Sequence, residues 1–298
     1  MILTRRHVLL LIGAAALFRR SSATAQDRLH VVATFSILGD LVRNVGGERV
    51  AVATLVGPNG DVHVYSPTPA DAKTLANAKA VFVNGLGLEG WIDRLVTGSG
   101  SKAPVVVTSA GIKPRDRRRD GHAAADPHAW QSIANAKTYV ANIRDALSSI
   151  DPAGKEFYEA NAAAYVAKLD ALDNEVRDAI AKIPADHRKV ITTHAAFGYF
   201  GDAYGIQFVS PEGLSTDAEP SAYDIAGVIA QIKQQKIPAV FMENISDPRL
   251  VLEIAKETGA AIGGKLYSDA LSEPNGPAGS YLDMMRYNMH ELGRALVP

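Results

Sequence analysis

The stretch DPAGKEFYEANAAAYVAKLDALDNEVRDAIAKIP, residues 151–184, decides the fold. Asp151-Pro152 suits a helix N-cap followed by proline at the first helical position. From Ala153 to Ile183 there is no further proline, and the one glycine, Gly154, falls in the first turn. Phe157, Tyr165, Leu169, Leu172, Val176 and Ile180 recur at steps of three, four and eight residues, which puts them on one helical stripe. Some 30 residues at about 1.5 Å each predict a helix of roughly 45 Å, longer than one small domain needs. Pro184 ends it.

Both flanks of this helix read alike. Before it, Leu29–Phe35, Val50–Val56, Ala80–Asn84 and Pro104–Thr108 are short β-branched runs. They alternate with helical segments at Ser36–Val45, Pro69–Ala78 and Glu89–Thr97, and Ile133–Ser149 is a further helix. After it, strands are predicted at Lys189–Thr193, Gln207–Ser210, Ala239–Met242 and Ala260–Leu266. Helices follow at Ala195–Tyr204, Ser221–Gln235, Pro248–Thr258 and Ser280–Leu296. Strand-helix alternation implies parallel sheets with helices on their faces. The expected architecture is α/β: two lobes, 26–150 and 185–298, with mostly parallel sheets joined by one long rigid helix, 151–184. Gly111–Ala125, polar and containing Arg117-Arg118-Arg119, lacks apolar periodicity and reads as an exposed loop.

Residues 1–25 read as a signal peptide. Arg5-Arg6 form a basic region, Val8 to Phe18 an apolar run too short to span a membrane, and Ala23-Thr24-Ala25 a small-residue cleavage site. Thr4-Arg5-Arg6 faintly resembles a twin-arginine signal, and general secretion fits equally. Taking its four arginines from the 31 basic residues leaves 27 against 32 acidic ones, about −5. A mildly acidic chain has no electrostatic reason to bind nucleic acid. The absence of cysteine excludes disulfides, thiolate metal sites and a lipid-modified N-terminal cysteine. The expectation is a freely diffusing monomer in the periplasm.

Candidate chemistry lies in histidines placed where loops leave strands. His194 follows Lys189–Thr193, and His63 lies in the loop after Val50–Val56. His128 lies between the strand near Val107 and the helix beginning near Gln131, and Asp269 follows the strand ending near Leu266. In open α/β sheets, ligands bind at the carboxyl ends of strands. Two candidates come from each lobe, and three imidazoles with one carboxylate suit Zn²⁺. Spacing alone is weak support, because the four are far apart and no HExxH or zinc-finger pattern is present.

Six motifs, in order along the chain, carry a resemblance. They are DVHVYSPTPAD (Asp61–Asp71), NGLGLEGW (Asn84–Trp91), DPHAW (Asp126–Trp130), THAAFGY (Thr193–Tyr199), Glu219-Pro220-Ser221 and SDAL (Ser268–Leu271). Over essentially all of its length after the leader, the chain resembles the zinc and manganese solute-binding proteins of ABC importers, the cluster A-I family. The resemblance implies two lobes on a rigid helix, no enzymatic activity, and His63, His128, His194 and Asp269 as ligands of Zn²⁺. It implies as partners an ABC-transporter membrane permease and, as a further candidate, a periplasmic metallochaperone. Manganese-binding relatives typically carry a carboxylate where His194 stands, so the chain resembles most the zinc-binding members with a three-His-one-Asp site.

The chain departs from the family in Val62, where proline is usual, and Ser66, where glutamate is frequent. A long His-rich loop common in zinc-specific members is reduced here to His122 with Asp116 and Asp120. Glu219 and Glu243 are weaker ligand candidates. His30, His187 and His290 read as structural or exposed, and Trp91 and Trp130 as packing residues beside the cleft. Two readings compete with the zinc carrier. One is a manganese carrier. The other is a zinc hydrolase, in which Asp269 would leave a coordination position to water.

Overall fold

The structure, a computed structural model, describes residues 28–119 and 122–297. The expected leader, 1–25, and Asp120 lie outside the described residues. Among the described residues no helix is long and apolar enough to cross a membrane.

The first lobe runs β1 (Leu29–Phe35), α1 (Ser36–Gly46), β2 (Val50–Val56), α2 (Pro69–Ala76), β3 (Val81–Val83), α3 (Ile92–Ser99) and β4 (Val105–Val107). Next come a hairpin, β5 (Arg115–Arg119) and β6 (His122–Asp126), then α4 (Ile133–Ile150) and the long α5 (Lys155–Ala181). The second lobe runs β7 (Lys189–Ile191), α6 (Gly198–Tyr204), β8 (Gln207–Val209), α7 (Ala222–Gln235), β9 (Ala239–Glu243), α8 (Arg249–Thr258), β10 (Ala261–Leu266) and α9 (Tyr281–Leu296). Helix starts are set by local chemistry. Thr68 with Asp71 and Ser221 with Asp224 form capping boxes ahead of α2 and α7, each satisfying backbone N–H groups that the first turn leaves free. Gly205 and Gly259 stop α6 and α8 in the left-handed conformation, at φ 79° and 73°.

Both sheets are wholly parallel, in the orders β2-β1-β3-β4 and β10-β9-β7-β8. In each lobe the first strand is central, the second lies on one side of it, and the third and fourth lie on the other. The two lobes therefore share one topology without a repeated sequence. Each has a switch point, between β1 and β3 and between β7 and β9, where the helices before and after depart to opposite faces and open a crevice.

The helix predicted over 153–183 forms as α5, led by a turn of 3₁₀ helix at Pro152–Gly154. Its buried stripe is Tyr158, Ala162, Tyr165, Leu169, Leu172, Val176 and Ile180. Tyr158 takes the inward position expected of Phe157, which is half-buried. At 27 residues the helix is about 40 Å long. It packs against α1 and α4 of the first lobe and α9 of the second. One apolar core consequently runs through both lobes, from Val31 and Phe82 through Leu169 and Leu172 to Phe241 and Met285. A smaller core, including Ile191, Val240, Ile232 and Ile254, lies on the other face of the second sheet under α7 and α8.

Two expectations change. Gly111–Ala125 is not an irregular loop. Arg115–Arg119 pairs antiparallel with His122–Asp126, Arg115 opposite Asp126. A two-stranded ribbon without a hydrophobic face has no period-2 apolar signal to reveal it. The helix expected from Ala195 begins at Gly198, and Ala195 N donates to Gly213 O at 2.8 Å.

Leu169→Ala should destabilise the whole molecule by about 2–5 kcal/mol, since Leu169 is fully buried in the shared core. Urea unfolding followed by circular dichroism and by tryptophan fluorescence should shift together, Trp91 and Trp130 both lying in the first lobe. A loss confined to one probe would show that the lobes unfold separately.

Candidate metal centre

Each of the four predicted residues sits in a loop at the cleft between the lobes. His63 lies between β2 and α2, and His128 two residues beyond β6. His194 and Asp269 lie three residues beyond β7 and β10. The structure brings all four together, with donor atoms within 4.8 Å of one another. His63 Nε2 is 3.3 Å from His128 Nε2 and 3.1 Å from Asp269 Oδ2, and His194 Nε2 is 3.0 Å from Asp269 Oδ2. His128 Nε2 is 3.6 Å from Asp269 Oδ1. Four donors held at about 2.0–2.1 Å from one ion in a tetrahedron stand about 3.3 Å apart, so the group has the dimensions of an ion's coordination shell. The side chains of His128, His194 and Asp269 are wholly buried and that of His63 nearly so. Asp269 Oδ1 is buried with no hydrogen-bond donor.

Two carboxylates behind the imidazoles fix their orientation. Asp126 Oδ1 accepts from both His128 N (3.0 Å) and His128 Nδ1 (2.8 Å). An ionised carboxylate can only accept, so the proton sits on Nδ1 and Nε2 turns its lone pair toward the cluster. Glu243 does the equivalent for His194. Its Oε1 accepts from His194 N at 2.9 Å, and its Oε2 lies 2.6 Å from Nδ1, an ion-pair contact off the line of a good hydrogen bond. The pairing follows from the sheet. Ile191 is in register with Val240, and three residues further on the neighbouring strands deliver His194 and Glu243. Carboxylates in this position fix the tautomer and raise the donor strength of an imidazole.

The rest of the packing supports these groups. Trp130 Nε1 and Gln131 Nε2 both donate to Ser268 O, at 3.0 and 2.7 Å, pinning the residue before Asp269. Trp91 Nε1 donates to Val62 O beside His63. Asn84 Nδ2 donates to Pro127 O beside His128, and its Oδ1 accepts from Tyr139. Buried Glu89 accepts from Thr34, Asn84 N and Gly85 N and shapes the NGLG turn. Arg115 reaches from the hairpin to Asp126 and across to Asp202 on α6.

Burial opposes protonation of His194, but the charges of Glu243 and Asp269 outweigh it and hold the ring pKa well above its ordinary value. For His128, too, burial opposes protonation, and the charge of Asp269 with the hydrogen bond from Nδ1 to Asp126 prevails, so the pKa is raised. Burial would raise the pKa of Asp269, and the facing His194 and His128 instead hold it well below the carboxylate range.

Sequence reasoning weighed Glu243 only as a ligand and passed over Asp126. The latter was legible as the residue two before His128. The role of Glu243 depends on strand adjacency and has no local signal. Glu219 is exposed. Nearby Glu212 is half-buried. Burial and the charges of Glu243, Asp61 and Glu219 push its pKa up to about 7 against the opposing charge of His194. His30 is exposed, His187 Nδ1 lies 2.9 Å from Leu296 O, and His290 pairs with Glu291 at the surface.

A two-lobed α/β chain with a rigid connecting helix and a buried His₃Asp cluster in its cleft defines a metal-binding, substrate-binding component of an ABC transporter. Residues 31–295 match the family model described as ZnuA, zinc-uptake complex component A, periplasmic, and the chain belongs to that family of solute-binding proteins, which are not enzymes. It is 36% identical over 279 residues to the manganese-binding lipoprotein MntA of Halalkalibacterium halodurans, covering 93% of this chain and 92% of that one. It is 34% identical over 285 residues to the iron-binding protein YfeA of Yersinia pestis, covering 95% and 91%. Among solved structures, the periplasmic zinc-binding protein TroA of Treponema pallidum superposes with a TM-score of 0.86 at 30% identity, over 91% of this chain and 100% of that one.

A divalent metal competes with protons for these ring nitrogens, and the raised values of His128 and His194 strengthen that competition. Metal binding at pH 7 is expected to release protons, and affinity to fall as the pH drops through the raised histidine values. Titration calorimetry in buffers of different ionisation enthalpy measures the release. An apparent heat independent of the buffer would contradict it.

Proposed function

We propose that the protein captures Zn²⁺ in the periplasm, holds it with His63, His128, His194 and Asp269, and delivers it to the permease of an ABC importer. The observation that carries this reading is the convergence of three imidazole nitrogens and one carboxylate oxygen in a site closed to water, with a buried Asp269 oxygen lacking any donor. A divalent cation supplies the charge that this carboxylate needs, and it competes with protons for the imidazole nitrogens.

The donor set favours zinc. Imidazole suits Zn²⁺, whereas Mn²⁺ prefers oxygen donors and higher coordination numbers. Four protein ligands close a tetrahedral zinc shell and leave no position for an activated water, as a carrier requires and a hydrolase does not. The relatives named for manganese and iron support a second reading, a carrier of a harder cation. Because any site of this kind binds Zn²⁺ more tightly than Mn²⁺, affinity for zinc does not by itself separate the two.

Two experiments bear on the proposal. Zn²⁺ should raise the thermal midpoint of the wild-type protein, a thousandfold excess over Kd contributing about 4 kcal/mol. In His128→Ala most of that shift should disappear, and an equal shift in both would place the metal elsewhere. Substituting His194→Asp exchanges a nitrogen for an oxygen donor. It should weaken Zn²⁺ binding more than Mn²⁺ binding, measured as the ratio of the two Kd values by chelator competition. An unchanged ratio would mean that His194 does not set the preference.

A further inference from the structure

The loop that carries His63 belongs to the first lobe in sequence, yet the second lobe holds it. Asn59 N donates to Leu271 O at 2.9 Å, and Asn59 Oδ1 accepts from Asn244 Nδ2 at 3.2 Å. The Asp61 carboxylate then divides its oxygens. Oδ1 accepts from the backbone N–H of His63 at 2.8 Å, and Oδ2 accepts from the Thr216 hydroxyl at 2.5 Å. Thr216 lies in the segment 210–221 between β8 and α7, which contains neither helix nor strand. Earlier in that segment, Glu212 N donates to Thr193 O at 3.3 Å, and Gly213 O accepts from Ala195 N at 2.8 Å. One strap of the second lobe therefore grips the residues on either side of His194 and, through Asp61, the backbone of His63.

His63 needs such a hold. Asp126 lies against Nδ1 of His128 and Glu243 against Nδ1 of His194, but among the described residues no carboxylate is placed against Nδ1 of His63. Its backbone is held on one side by Trp91, through Val62 O, and at its own N–H by Asp61. A hydroxyl donating to a carboxylate is a charge-assisted bond, stronger than a neutral one. Without it Asp61 is free to turn, and the N–H of His63 loses a fixed acceptor.

We infer that Thr216 is a positioning residue for metal retention: by holding Asp61 it fixes His63 from the opposite lobe, and release of the 210–221 strap frees His63 first. This rests on the reading above that His63 is a zinc ligand. It provides a release route in which α5 and the shared core keep their shape while one strap moves.

The test is the rate at which the full-length protein, loaded with Zn²⁺, yields the ion to a chromophoric chelator in stopped flow. Thr216→Val keeps the volume and removes the donor, and dissociation should be about ten- to a hundredfold faster. Thr216→Ser restores the donor and should return the rate to near wild type, with the metal-free thermal midpoint lowered in the valine variant and near wild type in the serine variant. Valine and serine variants of equal rate, or a valine variant as slow as wild type, would overturn the inference. His63→Ala separates this failure from that of the underlying reading. If it weakens Zn²⁺ binding while Thr216→Val does nothing, the ligand assignment stands and the strap does not. If it binds and releases Zn²⁺ as wild type does, both fall.

Discussion

A carboxylate wholly removed from water, facing three imidazoles, is the constraint around which this molecule is arranged. An ionised Asp269 in that position is costly unless positive charge stands beside it. The facing His194 and His128 offset part of that cost, and the remaining demand for positive charge makes the cleft suited to a cation. No single loop can bring four such groups to one point from four distant places in the chain. Two sheets that open their carboxyl ends toward each other can.

That geometry depends on stiffness. The α5 helix contributes one continuous stripe to a core shared by both lobes, which leaves little freedom for the lobes to swing apart. The cross-lobe polar contacts are concentrated at the cleft: Trp130 and Gln131 on Ser268, Asn59 on Leu271 and Asn244, Thr216 on Asp61. An apolar core that does not move, with polar links around the site, suits a carrier that must open locally to let a small ion pass. Segments with few buried apolar contacts open at the least cost, and the stretch between β8 and α7 is of that kind.

The carboxylates behind the histidines do as much as the ligands to define the chemistry. Asp126 and Glu243 place the ring protons on the far nitrogens and aim the near ones inward. They also bias the competition between protons and metal, because each raises the pKa of the imidazole it faces. Arg115 ties Asp126 to Asp202 on α6, so even the orientation of a first-lobe histidine is braced from the second lobe.

Much of this was legible before the structure. Apolar periodicity located α5 to within two residues, because burial of one helical stripe writes a period of 3.6 into the chain, and β-branched runs located β1 and β2. The four candidate residues stood out because they lie where loops leave strands or enter helices and fall within recognisable motifs. The β5–β6 ribbon was not legible, since its sequence, RDRRR and HAAAD, carries no alternation of apolar and polar residues. Nor were the roles of Glu243 and Thr216. Glu243 meets His194 only because β7 and β9 are neighbours in register, and Thr216 meets Asp61, 155 positions away, only because the lobes face each other across the cleft. Local sequence determines which groups exist and which backbone elements carry them. Which groups touch is decided by the packing of those elements, and that is long-range information no short stretch of chain contains.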